Sequence, residues 1–186
     1  VDVQSGGTLE IAEGVKHRYE YIEGWLIAED TTSDFYRGFY GLKGNVDLAE
    51  DSTLRFKFSE GTDAQNVYGG NITGAGNVDM QLGRSGATLV LSGENTFTGT
   101  KTLSGGGLVA EREASLGDTA DNKWHVKEDA FIAVKGIDGN QALTHIAGDS
   151  SGVIALTQDQ AEQVDLTGTG HTGMFVGALA GQVVQY

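Results

Sequence analysis

Residues 66–117 read NVYGGNITGAGNVDMQLGRSGATLVLSGENTFTGTKTLSGGGLVAEREASLG. Short runs of alternating apolar and polar residues, among them Asn77–Met80, Thr88–Leu91 and Lys101–Leu103, are separated here by glycine-containing turns. Alternation with period two marks half-buried strands. Leu89, Leu91, Phe97, Leu103 and Leu108 are spaced so that each short strand sends side chains into one shared core. Burying each such side chain stabilises the fold by about 1.5–3 kcal/mol. Gly93, Gly99 and Gly105 fall between strands, where the backbone is expected to need positive φ. Asn95 is expected to stack on an equivalent polar turn residue or to bond its own backbone. The pattern is structural, and no residue in it is arranged for chemistry.

The same grammar extends outward in both directions. It recurs in GGTLEIA (6–12), GNVDLA (44–49), STLRFKF (52–58), AFIAVKG (130–136) and SGVIAL (151–156). Leu9 with Ile11, and Leu54 with Phe56 and Phe58, are expected to share the inward face. Only residues 111–114 and 159–164 carry a helical turn signal, and both lie between strands, so the fold class is all-β. Of sandwich, closed barrel and solenoid, short motifs returning at degenerate spacing favour the solenoid, in which each coil buries its apolar side on its neighbours. At roughly 20–25 residues per coil, the chain would make about eight coils. With strands ~4.8 Å apart the stack would be about 40 Å long. No composition break divides the sequence, which predicts one β-helical region over 1–186.

Residues 66–117 also resemble the passenger-associated transport repeat of Gram-negative autotransporters. In that family a TLxLSG strand is followed by NT[YF]TG, a Tx[VIL] strand, a glycine turn, GxLxV and a loop ending in LG. Here these elements fall on Thr88–Gly93, Asn95–Gly99, Lys101–Leu103, Gly105–Gly107, Leu108–Ala110 and Leu116-Gly117, with GxIxGxGxV upstream at Gly70–Val78. Thr100-Lys101 departs from the Gly-Gly or Gly-Thr usual in the family. The flanks, 1–65 and 118–186, share the style without the full motif. The resemblance implies a right-handed, single-stranded parallel β-helix, part of a type V secreted passenger that crosses the outer membrane through its own C-terminal β-barrel. It further implies display on the cell surface, and a role in export, adhesion, biofilm formation or virulence. Its expected partners are a host surface glycan or protein, or another copy of itself.

Composition fits an exported β protein. The 186 residues include 29 glycines, well above the usual ~7%, and no proline to break a ladder. A net charge of −14 opposes phosphate backbones and anionic lipid, so neither nucleic acid nor membrane surface is an expected partner. Cysteine is absent, which removes disulfides and thiolate metal sites from consideration. No signal peptide or apolar span is visible. The chain opens on Val1 without methionine and ends on Tyr186 inside an apolar run, which reads as an excised fragment or a processed product.

No residues are assigned catalytic, cofactor-binding or metal-ligating roles. Gly148-Asp149-Ser150-Ser151-Gly152 is similar to the loop around a trypsin-like nucleophile, but no matching histidine loop accompanies it, and a turn between strands is the plainer reading. The acidic groups Asp47, Glu50 and Asp51, and Asp118 with Asp121, follow no calcium-loop spacing. His17, His125, His145 and His171 lie too far apart for a metal motif. A carbohydrate-active β-helix enzyme is one alternative function, and a pure folding or autochaperone module is another.

The least ordinary stretch is Tyr19–Tyr40, which holds seven of the 15 aromatic residues. Tyr19, Tyr21, Trp25, Tyr36, Arg37 and Tyr40 form the candidate ligand or partner surface, since exposed aromatics stack on sugars and anchor protein partners. Buried, the same side chains would fill a wide coil or cap the stack.

Overall fold

The computed structural model describes the backbone at 1–12, 14–15, 18–22, 25–30, 37–38, 44–58, 65–166, 172–177 and 182–185. Side chains are described over 1–11, 44–58, 67–83 and 87–166.

The chain opens with β1 (Asp2–Val3) and β2 (Thr8–Ala12). It continues through β3 (Gly14–Val15), β4 (Arg18–Ile22), β5 (Trp25–Asp30) and β6 (Arg37–Gly38) to β7 (Val46–Leu48) and β8 (Thr53–Lys57). Next come β9 (Gln65–Tyr68), β10 (Ile72–Gly74), β11 (Asn77–Leu91) and β12 (Lys101–Ala110). The remainder holds β13 (Trp124–Val126), β14 (Ala130–Val134), α1 (Gly139–Leu143), β15 (Val153–Leu156), α2 (Gln158–Gln163), β16 (Thr172–Gly177) and β17 (Gln182–Gln185).

These strands stack as a mostly parallel β-solenoid of about four turns. One face runs through β2, β8 and the first halves of β11 and β12 to β13, with Leu9, Leu54 and Val78 in one column, continued by Lys101 and Trp124. A second face joins β9, the far halves of β11 and β12, β14, β15 and β16. A third joins β1, β7 and β10. From β10 it passes on through the amides of Thr96 and Thr98, which donate to the carbonyls of Ile72 and Gly74. β11 and β12 each serve two faces because they turn a corner. Gly83 (φ 77°) makes it in β11, and Gly105 with Gly106 (φ 64° and 57°) makes it in β12. Left-handed backbone of this kind suits glycine, which has no Cβ to clash.

Inward alternation holds where the sequence predicts it. Leu54, Phe56 and Phe58 are buried, as are Leu89 and Leu91, and Ile11 is buried with Leu9 packed against the same core. That one column of apolar side chains runs from Val3 to Leu156.

Two departures from expectation have clear causes. The turn count is about four, where length alone predicts about eight. Length counts every residue as coil, whereas β3 with β6 and β4 with β5 pair antiparallel and add strands without adding a turn. β16 and β17 are also antiparallel. Helix appears near the two expected places, as a 3-10 turn at Glu113–Leu116 and as α2, and also in α1, which was not expected. Asp138 caps α1 by accepting from the Gln141 amide at 2.8 Å. This cap was a readable signal, masked by the shortness of the helix.

Candidate functional site

Residues 88–117 sit in the middle of the stack, on β11, β12 and the loops that leave them. Leu89, Leu91, Phe97, Leu103 and Leu108 are fully buried. Phe97 meets Trp124 of the next coil edge to face, with ring centres 6.3 Å apart.

Polar corner residues join coil to coil. Asn95, only 5% exposed, accepts from the Ile72 amide at 2.8 Å and donates to the Ser115 carbonyl at 2.7 Å. It therefore bonds the backbones of adjacent coils, where the sequence predicted stacking or a bond to its own backbone. Asn71 and Asn77 play related roles, accepting from the amides of Glu94 and Thr100 one coil on. Gly93 and Gly99 are not in the positive-φ region. They are small because a Cβ at either would strike the carbonyl of Gly70 or Gly76 in the preceding coil. Gly105 does have positive φ, as expected.

Lys101 stands out among the inward positions. It is fully buried between Val78 and Trp124 in the first face, and its Nζ donates to the Gly99 carbonyl at 2.9 Å and lies 4.6 Å from the Phe97 ring centre. Burial pulls its ammonium down to about 8, and the charge of Asp118 opposes that shift. Tyr68 is buried in the same core, and burial pushes its phenol up to about 12 while its hydroxyl donates to the Gly44 carbonyl. On the outer surface of the first face, Arg55 pairs with Asp79 at 2.8 Å and Glu10 at 3.5 Å. The hydrogen bond to Asp79 raises the Arg55 pKa.

The serine of the protease-like loop is committed to backbone. Ser150 is buried, with its Oγ accepting from the Val126 amide at 3.1 Å and donating to the Trp124 carbonyl at 3.3 Å. His125 pairs instead with Asp149 at 3.1 Å. A second histidine has richer surroundings: His145 Nδ1 lies 2.7 Å from the Thr119 hydroxyl, and its Nε2 lies 2.9 Å from Glu113, which also accepts from Gln141 at 3.0 Å. His145 lies 26 positions from Thr119 and 32 from Glu113, one coil on, so no local motif announces the group. The buried Thr119 hydroxyl is held to the ring, and the arrangement acts as a clamp between corners.

Asp47 accepts from the Thr73 hydroxyl at 2.7 Å, and Asp118 accepts from the Ala120 amide at 3.0 Å. Among the described residues no group of acidic or imidazole side chains is arranged to hold a metal. Of the aromatic surface, Tyr19 and Tyr21 lie on β4 opposite Glu29 and Leu26 of β5, Trp25 pairs with Ile22, and Arg37 pairs with Val15. Their side chains, the whole of Tyr36 and Tyr40, and His17 and His171 lie outside the described residues. No family model, curated protein or solved structure matches this chain.

Proposed function

We propose that this chain is a non-catalytic stretch of an autotransporter passenger, a scaffold that supports export through the outer membrane and adhesion or self-association at the cell surface. One observation carries the reading. The stretch resembling the transport repeat, 66–117, runs from β9 through β12 and the corner after it, and in it Gly93, Asn95 and Gly99 join three successive coils. In such a passenger each coil that emerges offers the next a finished edge, so folding outside the cell opposes backsliding. The winding is read as right-handed, since crossover connections between parallel strands take that hand in about 98% of cases. The −14 charge keeps a strand-edged surface from unplanned pairing.

The test is to place residues 1–186 ahead of an autotransporter barrel in a Gram-negative host and measure protease-accessible protein on intact cells. The reading expects efficient display, and a sharp fall when residues 86–117 are deleted. Undiminished display after that deletion would contradict it. If the deletion lowers display and the exported full chain binds neither cells nor itself, the chain is a folding module alone.

A further inference from the structure

We propose that the depression between α1 and α2 is a binding site for an uncharged sugar residue. The two short helices occupy the same corner in consecutive coils. Asn140 donates to the Gln163 carbonyl at 2.8 Å, and Gly139 is bare where a Cβ would strike the Gln160 carbonyl. Beside this contact lies an opening of about 420 Å³, toward the small end of the range of ligand sites.

Its floor is rigid. Gln160, only 6% exposed, donates to the carbonyls of Val134 and Ile137 at 2.8 and 2.7 Å and accepts from the Thr157 amide at 3.0 Å. With every group of that amide committed to backbone, the floor neither shifts nor competes for a ligand. The rim differs. Asp159 and Gln163 both line the opening and are exposed. Asp138 uses one carboxylate oxygen on its helix cap, and the Gln141 amide nitrogen is turned to Glu113, which leaves the second oxygen of Asp138 and the carbonyl of Gln141 as acceptors. Ile137 adds a half-buried apolar patch, next to the uncovered backbone of Gly136.

Carboxylate and amide groups around a small apolar patch match the alternating hydroxyls and C–H faces of a sugar ring. The charge decides the class. Among the described residues of the lining Lys135 is the one cation, and it is neutralised by Glu111 at 2.7 Å, which leaves the carboxylates of Asp138 and Asp159 uncompensated. Uronate, sialate and phosphate are therefore repelled. Among the described residues no aromatic platform lines the opening, so binding is expected to be weak, with Kd on the order of 1 mM. The assignment rests on the surface-adhesion reading for its biological sense, whereas the binding itself is measurable without export.

The test is a titration of the ¹⁵N-labelled full chain with methyl glucoside, lactose and N-acetylglucosamine, with glucuronate as the anionic control. Saturable shifts at the Gly136 amide and the Gln141 and Gln163 side-chain amides are expected with at least one neutral sugar. Asp159→Asn and Gln163→Ala should each weaken binding about tenfold, while resonances distant from the corner stay in place. The assignment is overturned if all three neutral sugars give no saturable shift, if glucuronate binds equally well, or if both variants keep full affinity. Sugar binding by a chain that fails the display test would sink the export reading and leave this site standing.

Discussion

Asn95 and Lys101 show how much a single buried polar group decides in a stacked coil. Asn95→Ala would leave the Ile72 amide and the Ser115 carbonyl without their partner inside the core. A loss of roughly 2–4 kcal/mol is expected, read from urea unfolding. Asn95→Asp should also be destabilised, because a carboxylate cannot donate to Ser115. Lys101 gives a pH signature. Its ordinary value of 10.5 is lowered to about 8 in the fold, so between these values the unfolded chain holds a proton that the folded chain has shed. Stability therefore rises with pH from about 8 to 10.5. Tyr68 opposes this at the alkaline end. Its folded value of about 12 exceeds the ordinary 10, so its contribution is complete below pH 10 and is lost as pH climbs to about 12. Unfolding midpoints taken from pH 7 to 11 should peak near pH 10 in the natural protein. In Lys101→Met the rise from pH 8 should vanish, with higher stability at pH 7, because removing a buried charge with one hydrogen-bonded partner relieves desolvation. An unchanged slope in that variant would refute the role given to Lys101. Leu54, Phe56 and Phe58 could be assigned inward from alternation alone. Asn95 could not, because its partners lie 23 and 20 residues away.

At the scale of strands and corners, glycine does two separable jobs, which substitution should distinguish. Gly99→Ala puts a methyl group against the Gly76 backbone carbonyl, which cannot move without parting two coils. Gly107→Ala meets the ring of Phe131, a half-buried side chain able to swing aside. Gly99→Ala should therefore cost more, on the order of 2–4 kcal/mol against about 1 kcal/mol for Gly107→Ala, as measured by thermal unfolding of both variants. Equal costs would mean that coil spacing is not limited at Gly99. Strand positions in the middle of the chain were legible because short apolar alternations bounded by glycine have few other solutions. The corner between Asn77 and Leu91 was not, since two expected strands prove to be one that bends at Gly83. Nor was the pairing of β4 with β5, whose partners are antiparallel neighbours outside the coil pattern. The His145 clamp was invisible for a different reason: its members meet only because of the coil period.

For the whole molecule, the central claim is that consecutive coils lie in parallel register, one strand spacing apart. The first face offers a clean ruler. Glu10, Arg55, Asp79, Thr102 and His125 occupy one outward column, each paired with the next. Because the chain has no cysteine, spin labels on engineered cysteines at Glu10 and each of the other four positions can be read by electron paramagnetic resonance without background. Label-to-label distance should increase by about 4.8 Å per coil, bringing the Glu10–His125 pair to roughly 19 Å. Distances that fail to grow in that order, or that place Glu10 nearer His125 than Asp79, would contradict the stacked parallel solenoid.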